Sequence, residues 1–354
     1  MDVAERAGVS LTTVSRYLKG ELPLRAETEA RVISALDEVG YRRPPARRVG
    51  SPSGTRRTIG MIVPEVGSAF FGELVDEVVR AAQSFDLAVY VCNTLENHQR
   101  HSEYLGAISR ITDGIISTGY LNSEEALRDI VDSGFPVVLL HNSIASDTPL
   151  DCVSIDDYSG AYQATSLLLA NGHRQIAMVG GLPSSDLGKE IGQGWHATFE
   201  HDWRPDLERG WRDALERAGV DSAQQLRIPG PLTEDFGSTS LSHLFAAHEV
   251  PTGVVAASDR VALGMFDAAS KQGRKIPEDL SVVGFDGIST AALVTPRLTT
   301  VRVPTEKMAR NAVRLLVDRI AHTERSSRLV TVPVALVEGQ SVGTPRTALA
   351  RTHA

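Results

Sequence analysis

Seven short apolar runs recur between residues 58 and 286, and their spacing leaves few folds open. They read TIGMIVP (58–64), LAVYVCN (87–93), DGIIST (113–118), FPVVLLH (135–141), QIAMVGG (175–181), TGVVAAS (252–258) and SVVGFD (281–286). Longer amphipathic stretches, such as that near 70–84, lie between runs. Apolar runs of strand length alternating with helix-length stretches predict right-handed βαβ units and parallel sheets. The series is too long for one small sheet and predicts two similar lobes. A chain of 354 residues has room for two or three domains, each with its own core. Hydrophobic residues make up 42% of it and no run approaches membrane-spanning length, so a soluble chain without a membrane partner is expected.

Upstream of these runs, Asp2 to Gly20 reads DVAERAGVSLTTVSRYLKG. Ala4, Gly8 and Val14 have helix-turn-helix spacing. A small residue allows two helices to pack closely, a glycine allows the turn, and an apolar residue plugs the interface. Ser10 is an N-cap for a second helix starting at Leu11. A helix so placed offers its N-terminal side chains to a major groove. The alternative is an ordinary helical hairpin.

AGVS followed by TTVSRYL, then a third helix ending in EVGY, resembles the lactose-repressor/galactose-repressor (LacI/GalR) family of bacterial transcription factors. The resemblance implies that Leu11, Thr12 and Arg16 face base edges, while Ser10, Thr13 and Ser15 hold the DNA backbone. It continues through PEVGSAFFGEL, IDDYSGAY, NGHRQIAMVGG, ASDRVALG, VVGFDG and TPRLTTVRVP, in order. The implied fold is a small all-α helix-turn-helix head plus an α/β two-lobed periplasmic-binding-protein type I core with parallel sheets. The expected divisions are a head at 1–41, a hinge at 42–58, a core at 59–345 and a tail at 346–354. Within the core, 59–157 and 289–321 form one lobe, and 158–288 and 322–345 the other, with three chain crossings. The family carries a few more residues before Asp-Val-Ala, so Met1 is expected to be a start placed too late.

Charge follows the same division. Residues 1–58 hold 11 Lys and Arg against 7 Asp and Glu, a net +4, so the remainder carries −12 of the total −8. An acidic body discourages non-specific DNA contact outside the head. The third helix, near 26–39, is expected to bury Ala30, Val32, Ile33 and Leu36 on one face. From Tyr41 to Thr58 six arginines occur without an acidic residue, among Pro and Gly, which reads as a basic linker. The resemblance implies a hinge helix that forms on DNA, with Arg47 beside Val49, the latter a wedge into the minor groove.

In such a core a ligand sits between the lobes, at strand C-termini. The candidates are Phe70 and Phe71, one in the cleft and one in the core; Ser117 and His141; and Ser258, Asp259 and Asp286, with Asp286 foremost because a carboxylate can hold two hydroxyls. The family's shorter loop carries an arginine three residues before a Gly-aromatic pair. Here Gly210-Trp211 is the pair, but position 207 is leucine. The stretch 182–209 reads as an insertion packed on its own lobe or as an aromatic lid. His196, His201 and Asp202 there match no metal spacing, and neither do Cys92 and Cys152, so no metal and no cofactor is expected.

A ligand-responsive, sequence-specific regulator is the leading reading, most often a repressor, with double-stranded operator DNA and a sugar-like effector as partners; a nucleobase or nucleoside comes second. A homodimer is expected because no long helix follows the core. The absence of a signal peptide and of paired cysteines places the chain in the cytoplasm. The alternative is a solute-binding protein with the same core and no DNA role. The sequence carries no P-loop, metal cluster or nucleophile motif, so no enzymatic activity is expected.

Overall fold

The computed structural model describes residues 2–18, 24–38, 57–118, 133–141, 150–181, 205–322 and 326–346. The head consists of α1 (Asp2–Ala7), α2 (Leu11–Leu18) and α3 (Ala26–Glu38). Gly8 ends α1 at φ 63°, a conformation that costs a glycine little. Around it the Val9 N–H donates to the Ala4 carbonyl (3.0 Å) and the Gly8 N–H to that of Glu5 (3.2 Å). This closes two carbonyls that the helix end would otherwise leave open. Ala4 and Val14 are buried as their spacing predicts. The face of α3 differs from expectation. Val32 and Ala35 are buried and Leu36 packs beside them, while Ala30 is exposed and Ile33 is 47% exposed. The buried stripe follows helical periodicity from Val32, and Ile33 lies about 100° off it.

The first lobe contains β1 (Thr58–Val63), α4 (Ala69–Gln83), β2 (Ala88–Asn93), α5 (His98–Ile108), β3 (Gly114–Thr118), β4 (Val137–Leu140) and β5 (Asp151–Ile155). The second contains α6 (Asp157–Ala170), β6 (Ile176–Val179), α7 (Pro205–Arg217), β7 (Arg227–Ile228), α8 (Glu234–Ala246), β8 (Gly253–Ala256), α9 (Asp259–Lys271), β9 (Ser281–Asp286) and β10 (Thr299–Arg302). The chain returns through α10 (Thr305–Ala321) and β11 (Leu329–Val332), and then β12 (Ala335–Val337). The two six-stranded sheets run β11-β5-β4-β3-β1-β2 and β12-β10-β9-β8-β6-β7, one order repeated. Pairing is parallel except between β10 and β12. Central strands such as β3, β4, β8 and β9 are buried along their whole length, which is why they read as unbroken apolar runs.

Three crossings join the lobes, but two fall elsewhere than expected. Thr299–Arg302 pairs with β9 in the second sheet, and Leu329–Val332 pairs with β5 in the first. The crossings therefore follow Ile155, Arg302 and Val332; those expected at 289 and 322 are displaced by one strand each. Helix α10 packs on α4, β4 and β5, which assigns it to the first lobe. Asp151, fully buried in β5, ties this return path together by accepting hydrogen bonds from Arg319 (2.9 Å) and the Arg328 backbone (2.8 Å).

Close helix crossings shape the second lobe. A Cβ at Gly210 would run into the backbone of Tyr158, so α7 can approach α6 only with glycine there. Its neighbour Trp211 is buried. Gly237 and Gly264 do the same for α8 and α9, each lying against the other helix's backbone, at Val261 and Glu234. Among the described residues no helix is long and apolar enough to cross a membrane.

Candidate DNA-reading head and effector cleft

The first turn of α2 forms around Ser10. Its Oγ accepts from the Thr13 N–H (3.1 Å) and lies 2.7 Å from the Thr13 hydroxyl, an N-cap that leaves Leu11 and Thr12 facing outward. Leu11 is 65% exposed, and Thr12 and Arg16 are exposed with it. An exposed apolar residue gains nothing in the free head, and it suits contact with an apolar base edge such as a thymine methyl. Ser15 lies in the same helix. One contact escaped the sequence reading: the Tyr17 hydroxyl donates to Glu29 Oε1 (2.9 Å), tying α2 to α3. Arg47 and Val49 of the expected hinge lie outside the described residues.

In the first lobe the structure brings Phe70, Phe71 and His141 together. The Phe70 and His141 rings lie 4.9 Å apart, tilted by 49°, and Phe71 meets Phe70 edge-on at 5.3 Å. Phe70 is the buried member and Phe71 is half-buried, the division expected of the pair. His141 follows β4 directly, with φ 57°. Ser117 departs from expectation: it is fully buried, with its hydroxyl 2.8 Å from His101 Nε2 on α5, so its hydrogen bond is made inside the lobe.

Two second-lobe candidates are likewise engaged within their own lobe. Ser258 caps α9, accepting from the Val261 N–H (3.3 Å). Asp259 is fully buried; Oδ1 accepts from the Thr300 hydroxyl (2.5 Å) and Oδ2 from the Ile288 N–H (2.9 Å). Burial pushes its carboxyl up to about 7, against the pull of those donors and with Glu73 adding to the rise. Asp259 thus pins β10 to the turn after β9. Asp286 ends β9 nearly buried at φ 112°, a region non-glycine residues rarely occupy. Gly287 follows at φ 72°, where an added Cβ would lie 2.7 Å from the Arg302 Cα, so the turn after Asp286 takes glycine.

Position 207, where the family has arginine, holds a fully buried leucine. Arg209 lies instead over the Tyr158 ring at 4.9 Å and pairs with Asp206 (3.2 Å). Residues 182–204, including His196, His201 and Asp202, lie outside the described residues. Sequence reasoning also missed Glu65, Glu73, Glu234 and Arg260. Arg260 contacts Glu65 (3.0 Å) in the other lobe and Glu234 (2.8 Å) in its own. Their one signal was position: Glu65 lies in the turn after a strand, Glu234 and Arg260 in the first helical turn and Glu73 one turn further along its helix.

Comparison with known proteins agrees with this architecture. The family described as "Bacterial regulatory proteins, lacI family" matches residues 1–44. "Periplasmic binding proteins and sugar binding domain of LacI family" matches 56–205, and "Periplasmic binding protein-like domain" matches 165–342. Catabolite control protein A of Priestia megaterium is 29% identical over 335 residues, 94% of this chain and 95% of that one. The transcriptional repressor PurR of Serratia proteamaculans is 27% identical over 343 residues, 96% of each. Among solved structures, a complex of the transcriptional regulator CelR with cellobiose superposes with TM-score 0.69 at 27% identity, covering 96% of this chain and 98% of that one. A LacI family regulator of Enterococcus faecium with bound ribose gives 0.67 at 25% identity, covering 82% and 100%. These relatives are transcriptional regulators and not enzymes, as the sequence led one to expect. The chain belongs to the LacI family of bacterial transcriptional regulators.

Proposed function

We propose that this regulator binds a near-palindromic operator as a homodimer and represses transcription under the control of a sugar-like effector. The exposed, Ser10-capped face of α2 carries this reading. Leu11, Thr12 and Arg16 supply sequence preference, and Ser10, Thr13 and Ser15 supply phosphate contacts and salt dependence. Residues 42–58 form the hinge, with Arg47 and Val49 entering the minor groove. The exposed edge strand β2, with Tyr90 and Val91 uncovered, suits burial against a second copy. A regulator of this kind works in the cytoplasm.

The effector lies between the lobes, and its contacts are narrower than the sequence implied: Phe71, which meets the Phe70 ring edge-on, His141 and Asp286. The left-handed backbone of His141 and Asp286, each at a strand's C-terminal end, favours this set. A carboxylate and an imidazole beside aromatic faces fit a sugar, and the ribose and cellobiose in the neighbouring structures belong to that class. The grouped Phe70, Phe71 and His141 rings favour a nucleoside as the second reading.

The test is DNA retention with fragments from upstream of the chain's own gene and its neighbours, at two salt concentrations, against a panel of sugars and nucleosides. Salt-dependent, selective binding altered by one compound is expected. Selective binding that no compound alters removes the effector assignment. Ligand binding without DNA binding revives the solute-binding alternative.

A further inference from the structure

Among the described residues, polar contacts join the lobes beside the three chain crossings. Arg260, on the first turn of α9, reaches Glu65 Oε2 in the turn after β1 (3.0 Å). Glu73, on α4, accepts from the backbone N–H of Ser289 (2.9 Å). The first contact is aimed. Glu234, at the start of α8, grips Arg260 through both Nε (2.9 Å) and the second terminal nitrogen (2.8 Å). A guanidinium gripped along one edge by two nitrogens presents the third, Nη1, in one direction, so little entropy is lost when Glu65 accepts from it. The close α8–α9 crossing at Gly237 and Gly264 is what brings Glu234 and Arg260 side by side. Arg260 is only 20% exposed, so solvent screens the contact less than at an open surface. The attraction of Glu65 and Glu234 outweighs the opposing effect of burial and holds the Arg260 pKa above its ordinary value. The second contact borders the proposed effector set, since Glu73 follows Phe71 by two residues on α4 and Ser289 follows Asp286 by three.

We propose that Arg260, aimed by Glu234 at Glu65, is a positioning residue that latches the second lobe to the first and so biases the lobe angle that DNA binding senses. This rests on the regulator reading above. Breaking the latch moves the population toward parted lobes, and a ligand acts through its differing affinity for the two states.

The full chain tests this without any ligand. The Ser289 amide reports lobe separation, because its acceptor Glu73 lies across the cleft and is not among the carboxylates that grip Arg260. In Glu65→Gln and in Arg260→Gln, Ser289 exchanges about tenfold faster, the scale of one lost charge-assisted bond. Amides of β8 keep their protection, which shows that the lobe remains folded. Arg260→Lys restores part of the slowing, and the double variant exchanges no faster than either single one, as expected if one interaction was removed. Operator affinity, read on the same samples, shifts at least threefold in both glutamine variants. Ser289 exchange within twofold of native in both variants overturns the latch. Faster exchange with unchanged operator affinity overturns its link to DNA binding. If the native chain shows no selective DNA binding, the regulator reading fails by itself and the exchange result stands.

Discussion

Gly264→Ala isolates the crossing on which the second lobe depends. A Cβ built at Gly264 lies 2.7 Å from the carbonyl carbon of Glu234 and closer still to its oxygen. Ordinary carbon–carbon contact begins near ~3.5 Å, so α8 and α9 must part by about 1 Å. The clash is with backbone, which no rotamer can relieve. Overpacking of this kind costs about 1–3 kcal/mol, and the upper part of that range applies because a whole helix must shift. Gly→Ala within a helix returns up to about 1 kcal/mol by reducing the freedom of the unfolded chain. The net expectation is a loss of about 2 kcal/mol, read as a lower urea midpoint with unchanged slope. Gly106, within α5, has nothing within 4 Å of an added Cβ, so Gly106→Ala keeps the propensity gain without the clash. That control is expected to be neutral or stabilising by up to about 1 kcal/mol. If both variants shift the midpoint alike, or Gly264→Ala lies within about 0.5 kcal/mol of native, the close-approach argument is wrong.

Three further outcomes follow from named contacts. Ser10→Ala removes the N-cap of α2 and costs the head about 1 kcal/mol, seen as a lower thermal midpoint together with weaker operator binding; a change in neither removes Ser10 from both roles. The Asp259 carboxyl, pushed up by burial to about 7, binds its proton more tightly folded than unfolded. Its contribution to stability is therefore greatest at acid pH and is lost as pH rises from the ordinary carboxylate value to about 7. A carbon-13 titration that places it near 4 refutes this. Burial lowers the pKa of His173, whose ring nitrogens meet Thr252 (2.9 Å) and the Gly343 carbonyl (2.9 Å). The stability it supplies is present above the ordinary histidine value and is lost as pH falls below it. Thermal midpoints measured across that window should drop for native chain, and the slope should flatten in His173→Asn.

What could be read from the sequence followed from how local each cause was. Strands β3, β4, β8 and β9 were legible because burial on both faces leaves an unbroken apolar run. The α1–α2 turn was legible because Gly8 and Ser10 act within a few residues of themselves. The last two crossings were not. Thr299–Arg302 and Leu329–Val332 are short and only partly apolar, and only pairing in space decides which sheet receives them. The face of α3 misled because Ile33 is more apolar than Ala35, while the helix turn, not apolarity, decides which of them points inward. The cleft shows the same limit at finer scale. Asp259 and Arg260 are adjacent, yet one is held inside its lobe by Thr300, 41 residues away, while the other reaches Glu65, 195 residues away. Successive residues on a helix point about 100° apart, so neighbours in sequence can serve opposite ends of a structure. For Asp259 the donors, Thr300 and the Ile288 N–H, come from β10 and from the turn after β9, so the role of this carboxylate is set by residues far along the chain and not by its own neighbours.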